Sequence, residues 1–85
     1  MADDLDSYSE HILDIVSKNV KYYRELKGFS QIKLALEIGM SGGAYLGKVE
    51  LRKPKHRFNI IHLAKISKVL EVPIDKFFEL RNCKD

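Results

Sequence analysis

At 85 residues, 45% hydrophobic and 32% charged, the chain has material for one small core and little for a second. It shows no apolar run near the ~20 residues of a membrane helix, no charged-then-apolar leader, and a lone Cys83 that cannot form an internal disulfide, so a cytoplasmic single-domain protein is expected. The net charge of +3 is divided: residues 1–17 carry five acids without Lys or Arg, whereas 18–85 carry 15 bases against seven acids, a balance suited to a polyanion.

In chain order, residues 1–6 read as a disordered acidic leader, 7–81 as a single domain and 82–85 as a polar tail. Ser7-Tyr8-Ser9-Glu10 has the form of a capping box and is expected to open the first helix. Leu13, Val16, Val20 and Tyr23 then lie on one helical stripe running toward Gly28, whose tolerance of positive φ suits a helix end. Ser30 is placed to cap a second helix with Leu34, Ala35 and Ile38 facing inward; Gly39 stops it. Ser41 is a candidate cap for a third helix carrying Tyr45, Leu46, Lys48, Val49 and Glu50. A base-rich loop with Arg52, Lys53, Lys55 and Arg57 around Pro54 follows. Asn59 caps a fourth helix with Ile60, Leu63, Ala64, Ser67 and Leu70 expected inward, and Val72-Pro73 breaks it. A short fifth helix over 74–80 completes an all-α, five-helix chain.

Ser30-Gln31, Leu34-Ala35, Gly39-Met40-Ser41, and then Leu46, Val49 and Glu50 form an ordered set. That set resembles the Cro/lambda-repressor (xenobiotic-response-element-like) helix-turn-helix family, over about residues 19–78. The resemblance implies a lambda-repressor-like fold with its helix-turn-helix at helices two and three. It implies a transcriptional regulator, of repressor or controller type, that binds operator DNA as a homodimer. From Gln31 to Glu50 the chain has one residue more than the family's usual spacing, and the surplus falls in Ser41-Gly42-Gly43-Ala44.

Several residues carry expected roles. Gln31, at a helix start, can donate its amide to a phosphate. Lys53, Lys55 and Arg57, with Arg52, are placed to clamp the DNA backbone. On the third helix Ser41, Gly43, Ala44, Tyr45 and Lys48 are the candidates for the groove: Ala44 for a thymine methyl, Lys48 for guanine, Ser41 for a phosphate or base edge. Tyr45 can equally pack inside the domain. The resemblance further implies that Arg24 and Glu50 join as a structural ion pair. Ile12, Ile15, Phe77, Phe78 and Leu80 exceed what one small core readily buries and are assigned to a dimer interface.

Enzyme chemistry finds no support. His11, His56 and His62 lack metal-ligand spacing, Gly42-Gly43 lacks the strand that a phosphate-cradling loop follows, and no cofactor is expected. The expected partners are double-stranded DNA and a second copy of the chain. The competing expectation is an antitoxin-like interaction module that keeps the fold and reads protein.

Overall fold

The computed structural model describes residues 2–51 and 57–80. Four α-helices, α1 (Ala2–Leu26), α2 (Gln31–Glu37), α3 (Ala44–Glu50) and α4 (Ile60–Leu70), are followed by a 3₁₀ helix, Ile74–Phe78. Strands are absent among the described residues, and none of the described helices is long and apolar enough to cross a membrane.

Local sequence explains most boundaries. The Ser30 hydroxyl accepts the Lys33 amide at 3.0 Å, and the Asn59 side chain accepts that of His62 at 2.7 Å, so α2 and α4 open on side-chain caps. Gly28 and Gly39 adopt φ of +80° and +94°, turning the chain after α1 and α2. The residue after each glycine donates its amide five residues back, Phe29 to Arg24 and Met40 to Ala35, and packs its side chain against the core. Helix α4 ends the same way with a glutamate: Glu71 sits at φ +58°, and Val72 donates to the Ser67 carbonyl.

The core is built where these elements converge. Val16 and Val20 of α1, Leu34, Ala35 and Ile38 around α2, Leu46 and Val49 of α3, and Leu63, Ile66 and Leu70 of α4 are buried, with Phe58, Val72 and Phe77 between them. Asn19 is buried among them and donates to the Phe77 and Glu79 carbonyls at 2.9 and 2.7 Å, fastening the 3₁₀ segment to α1.

Four expectations change. Helix α1 begins at Ala2 instead of at the Ser7 box, so it runs through the acidic leader from there; Asp4 and Asp6 near its start favour this, because negative charge stabilises a helix N-terminus. At about 1.5 Å per residue its 25 residues span roughly 37 Å, nearly the 40 Å length of the molecule. The fifth element is a 3₁₀ helix, held by bonds from Lys76 to Pro73 and from Glu79 to Lys76. The inner face of α4 is Leu63, Ile66 and Leu70, while Ile60 and Ala64 face solvent. Phe77 is fully buried and meets Tyr23 edge-on at 6.1 Å; it belongs to the core and is lost to any dimer surface.

Candidate nucleic-acid interface

The position of α3 is fixed from its far end. Glu50, the last residue of the helix, accepts from Arg24 Nε at 2.8 Å and from the second guanidinium arm at 3.0 Å. A third donor, the Gln31 amide, reaches the same carboxylate at 2.9 Å. The remaining Arg24 nitrogen donates to the Phe29 carbonyl at 2.7 Å. One guanidinium therefore ties the end of α1, the turn into α2 and the end of α3. The two side chains are only 8% and 3% exposed, which places this bidentate pair out of water.

The front end of α3 is fixed by contact. Its N-cap is Gly43, which makes no side-chain cap bond, and Ser41 lies in the turn before it. This corrects the expected Ser41 cap: α3 opens at Ala44, and Ser41 stays in the turn. A Cβ on Gly43 would stand 3.0 Å from the Ile32 Cγ1 and 3.2 Å from the Ile32 amide nitrogen, so glycine permits α3 to lie this close to α2. The open side of Gly43 thus faces α2 and not a groove.

With both ends held, α3 shows solvent one face. Ser41, Ala44 and Lys48 are exposed along it, and Leu51, 72% exposed, continues it by helical spacing. Ser41, Ala44, Tyr45 and Lys48 border a concavity of about 530 Å³ shared with Met40, Gly42 and His62. Leu51 is the residue of this face that sequence reasoning missed; its spacing from Ala44 and Lys48 was the available signal.

Tyr45 packs its ring on His62, 5.3 Å between centroids, and its hydroxyl donates to the Arg57 carbonyl. Burial pushes the Tyr45 hydroxyl above its ordinary range. It also lowers His62, with the charge of Lys65 adding to the effect, and the His62 Nδ1 is buried without a partner among the described residues. Arg57 lies beside α3 through this Tyr45 bond, but its guanidinium reaches back to Glu10 of α1 at 2.6 Å. Gln31, expected to meet a phosphate, already gives its amide to Glu50. Arg52, Lys53 and Lys55 lie outside the described residues. Of the residues assigned to a dimer interface, Phe78 and Leu80 are 43% and 77% exposed, and Ile12 and Ile15 are half-buried.

The comparisons agree with this geometry. The DNA-binding N-terminal domain of SinR from Bacillus subtilis matches in structure with a TM-score of 0.67 and 29% identity, over 81% of this chain and 97% of that one. No curated protein matches the chain. A helix-turn-helix family model matches residues 20–77, from the middle of α1 to the 3₁₀ helix. With α2, the turn and α3 arranged as described, the chain belongs to the Cro/C1-type helix-turn-helix family.

Proposed function

We infer that the protein is a transcriptional regulator that binds operator DNA as a homodimer, with α3 in the major groove. The observation that carries this reading is the exposed face of Ala44, Lys48 and Leu51, held at both ends by the Glu50 cluster and the Gly43–Ile32 contact. A helix so held meets base edges at little further ordering cost. Lys48 can reach guanine N7 and O6, and Ala44 and Leu51 offer apolar contact to thymine methyls. With few groups able to form bidentate base contacts, DNA shape contributes the rest of the selectivity. The bases of residues 52–57 serve the phosphates.

The dimer is proposed through Ile12, Ile15, Phe78 and Leu80, a patch spanning α1 and the end of the 3₁₀ segment. A two-fold pairing on this patch sets the two reading helices about 34 Å apart, one turn of DNA. The test is a mobility shift with a duplex enriched from a random pool, against random competitor at several salt concentrations. A complex that resists the competitor supports the reading; equal binding to both duplexes contradicts sequence-specific recognition. Sedimentation equilibrium addresses the dimer separately, and a pure monomer at high micromolar concentration would refute it.

A further inference from the structure

We propose that Glu10 acts as a built-in phosphate mimic, occupying Arg57 and restraining the hold of the protein on the DNA backbone. This rests on the reading of α3 as a DNA-binding helix. Arg57 is kept beside α3 because its carbonyl accepts the Tyr45 hydroxyl, so its side chain starts from the rim of the proposed DNA-binding face and turns toward α1. There it meets Glu10, 47 residues earlier in the chain, at 2.6 Å, a short charge-assisted contact.

Exposure separates this pair from the structural one. Arg57 and Glu10 are 46% and 49% exposed, whereas Arg24 and Glu50 are 8% and 3%. A half-exposed pair contributes little to folding and exchanges readily with other ions. A phosphate competes for the same two-pronged donor with the same charge. Glu10 belongs to the part of α1 that precedes the family match at residues 20–77, within the 1–17 segment that holds five acids and no Lys or Arg. The restraint is thus an addition at the N-terminal end of the shared domain, carried by its acidic segment.

The experiment measures affinity for a random-sequence duplex against salt for wild type, Glu10→Gln, Arg57→Gln, the double variant, and Asp4→Asn as a charge control on the same helix. Glu10→Gln is expected to tighten binding about two- to five-fold, the range of an exposed ion pair, and to steepen the slope of log affinity against log salt by up to about one unit. Arg57→Gln should then weaken the Glu10→Gln protein more than it weakens wild type. An unchanged far-ultraviolet circular dichroism spectrum establishes that the variants remain folded. The proposal is overturned if Glu10→Gln leaves affinity unchanged or lowers it, if the gain survives in the double variant, or if Asp4→Asn gives the same gain. Failure of wild type to bind any duplex at any salt would instead defeat the DNA-binding reading, and this inference with it.

Discussion

Glu50 shows how one side chain can set the geometry of a surface it does not belong to. Its carboxylate is buried, and three donors from α1 and α2 converge on it. Replacing it with alanine strands the Arg24 guanidinium in the interior, and the expected loss is about 3–5 kcal/mol in chemical denaturation. An unchanged midpoint would refute the clamp. Gln31→Ala removes one neutral donor to an anion and should cost about 1 kcal/mol, with no change in the salt dependence of DNA binding because no charge is lost. Lys48, on the open face, is expected to behave in the opposite way. Lys48→Ala should cost about 1–3 kcal/mol on an enriched duplex and only a generic charge effect on random sequence, with stability unaffected. Equal weakening on both would make Lys48 a phosphate contact. His62 gives a pH signature. Its folded-state pKa lies below the ordinary 6.5, so the unfolded chain takes up its proton first as pH falls. Stability linked to this group is therefore whole above about 6.5 and declines below it, and His62→Phe should flatten that part of a melting-temperature profile.

The helices end on a repeated solution that the sequence shows only in part. Gly28-Phe29 and Gly39-Met40 are readable because glycine at positive φ followed by an apolar residue is the ordinary composition of such a stop. Glu71-Val72 makes the same backbone turn, but nothing about a glutamate announces it; only the Val72-Pro73 break was visible. Glu71 at φ +58° holds a conformation that glycine adopts freely, so Glu71→Gly is expected to raise stability by up to about 1 kcal/mol in thermal melts. A loss would show that contacts of Glu71 outweigh its backbone strain. The caps Ser30 and Asn59 were legible because each side chain satisfies an amide three residues ahead, a purely local relation. Asn19 was not, since its partners are the carbonyls of Phe77 and Glu79 at the other end of the chain. Asn19→Ala should cost about 1–3 kcal/mol by orphaning these groups, with the 3₁₀ segment becoming the first to exchange its amide hydrogens. The start of α1 was misread for a related reason: a capping box fits a helix start locally, yet the helix continues through it to Ala2.

Taken whole, the molecule sets an acidic half-helix against a basic body. Residues 1–17 hold five acids and no Lys or Arg, and the 15 bases all follow. That division was plain in the sequence; that α1 would carry Glu10 onto Arg57 beside α3 was not, because it depends on how the helices pack. The helix-turn-helix itself was legible from Ser30 to Glu50, as short-range spacing determines it. The direction of its side chains was less so: Gly43 turns toward Ile32, Gln31 toward Glu50, and Leu51 outward. Of the residues proposed for a dimer surface, Phe77 lies in the core, Phe78 and Leu80 are exposed, and Ile12 and Ile15 are half-buried. Amide chemical-shift mapping of the ¹⁵N-labelled protein, titrated with an enriched duplex, addresses the assignment of the α3 face to DNA. Perturbations concentrated at Ser41, Ala44, Lys48 and Leu51, with Arg57 beside them, are the expected result. Shifts confined to α1 and the 3₁₀ segment, with α3 silent, would contradict it.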